Sequence, residues 1–466
     1  MTANSHRRLL AGFLLPVLLV ACSGPSPSSS LSSSASSSAS SLATGRPSGS
    51  GVAGGIGTIV PAPGSDSSVY GPNPGAIVVA IDPGHGGCLD WGVPDPRRRG
   101  VEFSEKTMTL AIGQQLRDML EAQGVTVVMT RDDDSALAGD DYPPLGCNGP
   151  SWRDVNGDGE SGFDPEGAVR TRDELQARLD LANIARADVL LSIHINSLTQ
   201  GGVVFEIAAT ETFYTDETTW GVAVTGPLAQ AIQDEVLTSM DRAAGYDRQD
   251  RGIQAHNLFI VAPPLLKATS DRPDTRKQPT RGALMPSILT EVGSITLEAE
   301  QNLLASPAGQ QAAAEGIFAA LARHFAARSL AVAYLLPELE PGPGPVPTAA
   351  AGDGPPFWPP VAPSNELVVR LTNTGNQPWP AGMQLLGGWQ ASDQPYLRLP
   401  PASLEPLLSD AIPSLAPGDA VDVRVTVPAA VTEVGVAWIT LAGDDGPLTD
   451  LGSPPLQVAT RGRTAG

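Results

Sequence analysis

Short, continuous apolar segments alternate with amphipathic segments over the middle of the chain, and this alternation restricts the fold more than any other feature. Residues 77–81 and 189–195 are apolar runs of strand length, as expected for strands that are buried on both faces of a parallel sheet. Residues 105–123 instead place their apolar side chains at helical spacing, and Gly124 ends the pattern. We therefore predict an α/β domain over residues 76–328, in which helices flank a mostly parallel, twisted sheet.

The remaining elements of this domain follow from the same two patterns. We predict strands at residues 125–130, 203–208, 258–261 and 287–292, and helices at residues 172–186, 227–240 and 307–327. The last helix has the clearest start signal, because Ser306 can cap its N-terminus and Pro307 suits the first helical position.

Near the C-terminus, apolar residues recur at every second position instead of at helical spacing. Alternating runs at residues 367–371, 421–427 and 434–441 are separated by turn residues, which predicts an all-β sandwich over residues 364–461. The segment from Asn373 to Trp379 resembles the immunoglobulin-like modules of bacterial surface proteins, so we expect an immunoglobulin-like sandwich. Such a module could bind wall polymer, bind a protein partner or act as a spacer, and the sequence leaves these three roles open.

Two segments of biased composition lie outside the predicted domains. Residues 23–75 are rich in Ser, Gly and Pro and have no apolar period, which predicts a flexible tether. Residues 329–363 are dense in Pro, Gly and Ala, which predicts a semi-rigid linker between the two domains.

Residues 1–22 carry an export signal. Basic residues precede an apolar run at residues 9–21, which is short for a membrane span but has the length of a signal-peptide core. The run ends in Leu19-Val-Ala-Cys22, which resembles a bacterial lipobox. That resemblance implies lipidation of Cys22 and anchoring in a membrane. An ordinary signal peptide with an incidental cysteine is the alternative, and under both interpretations the mature protein is exported to the cell envelope.

Charge and cysteine content narrow the set of partners. The chain has 50 acidic and 29 basic residues and a formal net charge of −21, so it repels phosphate backbones and we expect no nucleic-acid partner. Besides Cys22, the chain contains only Cys88 and Cys147. In an oxidising compartment these two cysteines could form a disulfide or remain two buried thiols.

Three predicted strands end in residues that can carry chemistry. The first leads into Asp82-Pro-Gly-His85-Gly-Gly87, the third contains His194, and the last contains Glu291. Ligand sites of parallel sheets form outside the carboxyl ends of the strands, so these side chains should meet in one cleft. Glu105 opens the first helix on the same side of the sheet.

Two histidines and two glutamates match the needs of a catalytic zinc. Three protein ligands leave a fourth position for water, and the metal lowers the pKa of that water. A further carboxylate then moves the water's proton to the leaving nitrogen. An ordinary interpretation stays open as well, because strand-end histidines commonly make structural hydrogen bonds and Glu105 would favour any helix N-terminus.

Seven short motifs occur in the order found in one enzyme family. They lie at residues 81–87, 105–112, 128–132, 178–183, 191–196, 251–252 and 288–293. Together they resemble the zinc-dependent N-acetylmuramoyl-L-alanine amidases of the type 3 class, which hydrolyse the bond between the muramic acid lactyl group and the first residue of the stem peptide. The resemblance implies an enzyme whose substrate is peptidoglycan.

The resemblance also implies a role for each candidate residue. His85, Glu105 and His194 correspond to the zinc ligands, and Glu291 corresponds to the catalytic carboxylate. Glu102 is the rival for the glutamate ligand, but the residues that follow Glu105 match the family pattern better.

Two polar residues near these motifs are further candidates. Arg131 could pair with a substrate carboxylate or with an acidic partner in the fold, and the structural role is favoured. Asn196 follows His194 by two residues and is expected to support the ligands or the fold.

The α/β domain contains a long insertion at about residues 140–169. Oxygen-bearing side chains there have the spacing of the first half of an EF-hand loop, with Gly159 at its sixth position. The candidate calcium ligands are Asp154, Asn156, Asp158 and Glu160. Position 12 is Pro165 rather than Glu, so an acidic turn without metal is the alternative.

Two other functions remain open at the level of sequence. A zinc peptidase would cut peptide cross-links with the same chemistry, because zinc activates water towards any amide. A wall-binding lipoprotein without activity would use the amidase-like domain only to hold glycan. The presence of His85, Glu105, His194 and Glu291 together argues against that second alternative.

Overall fold

The computed structural model describes residues 69–70, 74–87, 90–138, 155, 172–200, 202–218, 220–263, 281–337, 365–392, 400–428 and 435–460. The predicted signal peptide lies outside these ranges, as does most of the tether and the linker. Among the described residues, no helix combines the length and the apolar character that crossing a bilayer requires.

The first domain is built from alternating strands and helices. In chain order these are β1 (Val78–Pro83), α1 (Glu105–Glu121), β2 (Thr126–Met129), α2 (Arg172–Ile184), β3 (Val189–Asn196), β4 (Thr199–Gln200), β5 (Val203–Val204), β6 (Ala209–Tyr214), α3 (Gly226–Ala244), β7 (Gln249–Ala255), β8 (Ser287–Ser294), α4 (Glu298–Leu304) and α5 (Pro307–Ala327).

Six of these strands form one sheet in the order β2-β1-β3-β8-β6-β7. The first four strands in that order run parallel to one another. Strand β6 is antiparallel to β8, and β7 is parallel to β6. The sheet is therefore mixed, with a parallel half that carries the predicted site and an antiparallel junction beside it.

Alternating residues of the central strands point to opposite faces of the sheet, as the pleat requires. Ile81 and Ile193 belong to a core that includes apolar residues of α1, α3 and α5. Ala80 and Leu190 belong to a second core with Leu179 of α2. Burial on both faces explains why these strands read as continuous apolar runs rather than alternating ones.

Two predicted strands of this domain are wrong. The run at residues 203–208 contributes only the short β5, and the sheet strand that follows is β6. Residues 258–261 form turns rather than a strand, although Ile260 and Val261 are buried. A four-residue apolar run has the same appearance in a buried turn as in a buried strand, so periodicity could not separate them.

The C-terminal part is all-β. Its strands are β9 (Val332–Leu335), β10 (Glu366–Asn373), β11 (Gln384–Ala391), β12 (Glu405–Pro406), β13 (Ala420–Thr426), β14 (Gly435–Gly443), β15 (Gly446–Pro447) and β16 (Leu456–Thr460). One sheet has the order β13-β10-β9, and the other has the order β12-β11-β14-β15 with β16 paired to β14. Both sheets contribute to one apolar core around the fully buried Trp379.

The predicted linker begins too early. Residues 332–335 form β9, which pairs antiparallel with β10, for example through Tyr334 and Leu371. Val332 and Tyr334 are buried in the core of the β domain. The β domain therefore starts about five residues after α5, and the Pro-rich segment is an insertion between its first two strands.

Candidate active site

The parallel strands bring the predicted residues to one edge of the sheet. His85 lies two residues after the end of β1 and adopts a left-handed backbone conformation with φ of 63°. His194 lies near the end of β3, where its register partner on β8 is Glu291. Glu105 is the first residue of α1. All four side chains thus reach the carboxyl end of the parallel half of the sheet.

Glu105 lies between the two histidines. Its Oε1 atom is 3.1 Å from Nε2 of His85 and 3.1 Å from Nδ1 of His194. One ligand atom from each of these three residues lies within 4.8 Å of the other two. Glu102, the rival for the glutamate position, is exposed and belongs to a short helix that precedes α1.

The backbone fixes the Glu105 carboxylate. Its Oε1 accepts the N–H of Ile195 at 3.0 Å, and its Oε2 accepts the N–H of Val93 at 2.8 Å. Burial alone would raise the pKa of Glu105, but His85 and the hydrogen bonds from both histidines outweigh burial and hold this pKa far below its usual range. Burial likewise opposes charge on His85, yet Asp90 and Glu105 raise its pKa well above the usual value.

Glu291 lies in a different environment. Its side chain is buried, and Oε2 has no hydrogen-bond partner among the described residues. Burial and the negative charges of Glu105 and Glu211 raise the pKa of Glu291 well above its usual value. Two buried carboxyls at one edge therefore have pKa values shifted in opposite directions, which is the pattern expected of groups with different roles in acid–base chemistry.

Asn196 and Arg131 both make hydrogen bonds to residues that lie next to the cluster of His85, Glu105 and His194. Asn196 donates through Nδ2 to Glu211 at 3.4 Å, and Glu211 is the register partner of Glu291 on β6. Arg131 is buried and donates to the carbonyls of Pro83 at 2.9 Å and Gly84 at 3.0 Å. Its guanidinium group therefore supports the turn that carries His85.

A second buried arginine holds the same turn. Arg178 of α2 donates to the His85 carbonyl at 2.7 Å and forms ion pairs with Asp82 at 2.7 Å and Glu174 at 2.8 Å. The left-handed backbone of His85 is thus fixed from two sides, which compensates for a conformation that L-residues rarely adopt.

Sequence reasoning missed two acidic residues of the site. Asp90 lies 2.7 Å from Nδ1 of His85. Glu211 lies opposite Glu291 and pairs with Nε of Arg251 at 3.0 Å. The short Asp90-Trp-Gly92 segment after the glycine turn is a detectable signal for the first residue, whereas the Glu211–Glu291 pairing depends on an antiparallel junction that the sequence pattern did not indicate.

Several other candidate residues lie outside the described part of the chain. These are Cys22, Cys88, Cys147, Asp154, Asn156, Asp158 and Glu160. The lipid anchor, the disulfide and the calcium loop therefore remain predictions.

An α/β sheet edge that holds two histidines and two buried glutamates has the ligand types and the acid–base group that metal-assisted hydrolysis requires. Residues 79–323, more than half of the chain, match the family Amidase_3, described as N-acetylmuramoyl-L-alanine amidase. The chain belongs to this family, and it is a peptidoglycan amidase that cleaves the bond between N-acetylmuramic acid and L-alanine.

Individual relatives are similar over the same region. The chain is 26% identical over 248 residues to the germination-specific N-acetylmuramoyl-L-alanine amidase of Bacillus subtilis, covering 53% of this chain and 79% of the relative. It is 27% identical over 242 residues to the sporulation-specific amidase of the same species, covering 52% of this chain and 65% of the relative. A solved amidase from Clostridium difficile 630 shares 26% identity over 54% of this chain and 98% of its own, with a TM-score of 0.37.

Proposed function

We propose that this amidase is a zinc enzyme in which His85, Glu105 and His194 bind the metal and Glu291 transfers the protons. The observation that carries the proposal is the convergence of three ligand atoms within 4.8 Å, beside a buried carboxyl oxygen that lacks a hydrogen-bond partner among the described residues. A buried carboxyl oxygen without a protein partner needs an explanation, and contact with a reacting group supplies one.

The donor set fits zinc. Two imidazole nitrogens and one carboxylate oxygen are ligands that zinc takes in catalytic sites, where a fourth position stays open. The surrounding backbone is shaped to these side chains, because a Cβ atom at Gly92 would collide with Glu105 and with the His85 ring. When bound, zinc polarises the amide carbonyl and lowers the pKa of water.

In the proposed reaction, Glu291 moves protons during hydrolysis. In its ionised form it accepts a proton from the water that attacks the lactyl carbonyl carbon. In its protonated form, which its raised pKa favours, it donates that proton to the amide nitrogen as the C–N bond breaks. The products are the lactyl carboxylate of the glycan and a stem peptide with a free L-alanine amine.

The experiment that tests this proposal combines product analysis with one substitution. Mass analysis of digested peptidoglycan should show intact stem peptides with a free L-alanine amine. Fragments cut inside the stem would instead support the zinc peptidase. Glu291→Gln should lower kcat by about a hundredfold or more, as expected for loss of acid–base catalysis, while bound zinc stays stoichiometric.

A matched control separates the role of Glu291 from a general charge effect. Glu298→Gln removes the same charge from a side chain that is 61% exposed at the start of α4, and it should leave kcat unchanged. Full activity of Glu291→Gln would contradict the assigned role. Absence of zinc from the purified wild-type protein would contradict the metal assignment.

We further propose that the protein acts in the cell envelope as a lipoprotein. The proposal rests on the lipobox-like Leu19-Val-Ala-Cys22, and residues 23–75 would then provide the reach from the bilayer to the wall. The wild-type protein should partition into the detergent phase of a Triton X-114 extract, and Cys22→Ser should prevent this. Equal partitioning of the two proteins would refute the anchor.

A further inference from the structure

Asp90 is the only carboxylate that His85 contacts on the side of its ring away from the zinc ligands, within the described part of the chain. Its Oδ1 atom lies 2.7 Å from Nδ1 of His85, whereas Nε2 of the same ring faces Glu105. The two ring nitrogens of His85 therefore have different partners. A carboxylate accepts but does not donate, so Asp90 can keep a proton on Nδ1. Nε2, which lies on the side of the Glu105 and His194 ligand atoms, is then the nitrogen that would bind a metal.

The local backbone holds Asp90 in this position. Its carbonyl accepts the N–H of Gly86 at 2.8 Å, which closes the turn that follows His85. Its Oδ1 also accepts the N–H of Gly92 at 3.3 Å. The carboxylate is thus aimed at the imidazole by hydrogen bonds on either side of Asp90.

Among the described residues, none supports His194 in the way that Asp90 supports His85. It presents Nδ1 to Glu105 at 3.1 Å, and its Nε2 has no hydrogen-bond partner among the described residues. The two histidines of the cluster are therefore held differently. His85 is fixed by a carboxylate, whereas His194 is fixed by its position in β3.

We propose that Asp90 is a positioning residue that fixes the metal-binding tautomer and ring orientation of His85 and thereby sets the zinc affinity of the site. The inference rests on the proposed zinc function, and it assigns to Asp90 the role of the outer carboxylate in a carboxylate–histidine–zinc arrangement. Partners of this kind typically change metal affinity by about 10–100-fold when they are removed.

The test is a zinc titration of the full-length protein against a competing chromophoric chelator. Asp90→Ala should weaken zinc binding by about 10–100-fold. Asp90→Asn keeps an acceptor for the Nδ1 proton but loses the charge, so its zinc dissociation constant should lie between those of the wild type and Asp90→Ala. Circular dichroism and thermal unfolding of the zinc-free variants should match the wild type.

Asp134→Asn is the matched control. Asp134 accepts the N–H of Gly87 at 3.0 Å and pairs with Lys106 at 2.7 Å, so it braces the same turn without touching His85. Its zinc affinity should equal that of the wild type. Wild-type affinity in both Asp90 variants would overturn the inference, and so would an equal loss in Asp134→Asn. A wild-type protein that binds no zinc would refute the proposed metal function itself, which is a distinguishable result.

If Asp90→Ala fails to fold, Asp90→Asn decides alone because it preserves the size and the hydrogen bond of the side chain. Nitrogen chemical shifts of the imidazole give an independent readout. They should show His85 protonated at Nδ1 in the zinc-bound wild type, and the other tautomer would overturn the inference.

Discussion

Gly84 separates β1 from His85, and its missing side chain makes room for the other histidine of the cluster. A Cβ atom at this position would lie 2.5 Å from Cε1 and Nε2 of His194. The φ of Gly84 is not positive, so its backbone conformation alone does not require glycine. The constraint on Gly84 is therefore steric, and the three atoms nearest to an added Cβ all belong to the ring of His194.

We expect Gly84→Ala to weaken zinc binding by at least about tenfold, which is the scale of perturbing the orientation of a ligand. Gly75→Ala is the control at the other end of β1, where a Cβ atom would meet the carbonyl oxygen of Gly124 at an ordinary 3.6 Å. Zinc titration should separate the two variants. Equal zinc affinities would mean that His194 does not need the space that Gly84 provides.

The residues of the site differ in how far the sequence could predict them. His85, His194 and Glu291 stand at the ends of strands that are buried on both faces, where apolar runs mark the strand and the polar residue stands out. Asp90 follows in an irregular turn with no period. Glu211 faces Glu291 only because β6 runs antiparallel to β8, and burial patterns do not specify strand direction.

The secondary-structure elements also differ in how well the sequence predicts them. The helix α5 begins at Pro307 as predicted, and the Ser306 side chain accepts the N–H of Gly309 at 3.2 Å as an N-cap. The edge strand β7 escaped prediction because it is polar and largely exposed. Strand β11 escaped because Gly387 and Gly388 interrupt its apolar pattern. Strands without two buried faces leave a weak signal in the sequence.

The predicted calcium loop is tied to α2 through Val155, which is buried. Its N–H donates to Asp173 at 2.8 Å, and its carbonyl accepts from Arg281 at 2.6 Å. Calcium that binds the folded protein and not the unfolded chain would favour the folded state.

We therefore expect calcium to raise the melting temperature of the wild-type protein. The variant with both Asp154→Ala and Asp158→Ala should show no calcium-dependent rise, because these substitutions remove two of the candidate carboxylate ligands. Thermal unfolding with and without calcium measures the difference. An equal shift in both proteins, or no shift in the wild type, would refute the calcium loop.

At the scale of the whole molecule, β14 joins the two domains. Ala437, Ile439 and Leu441 point into the core of the β domain. The alternate residues Val436 and Trp438 belong instead to the core that covers the α2 face of the amidase sheet. This strand is buried on both faces. A β domain that acted only as a spacer would not require its sheet to pack against the amidase domain. Arg328, directly after α5, also links the domains, because it donates to Thr374 at 3.4 Å and its carbonyl accepts the N–H of Asn376 at 2.8 Å.

The β domain should therefore stabilise the amidase domain. Trp438→Ala should lower the stability of the amidase domain by about 3–5 kcal/mol, the usual cost of deleting a buried aromatic side chain. Residual amidase activity after heating measures this domain alone. Leu408→Ala is the control, because Leu408 is an apolar side chain of the same domain that is 79% exposed.

Removing residues 332–466 should lower the heat resistance of the amidase in the same direction, because it uncovers the same apolar surface. The initial rate at low temperature should change little in both proteins, since Trp438 packs near the start of β3 and β8, whereas His194 and Glu291 lie towards their ends. A truncated enzyme as heat-resistant as the full chain would leave the β domain as a passive spacer. A selective loss of heat resistance would instead make the β domain the layer that completes the second face of the amidase sheet.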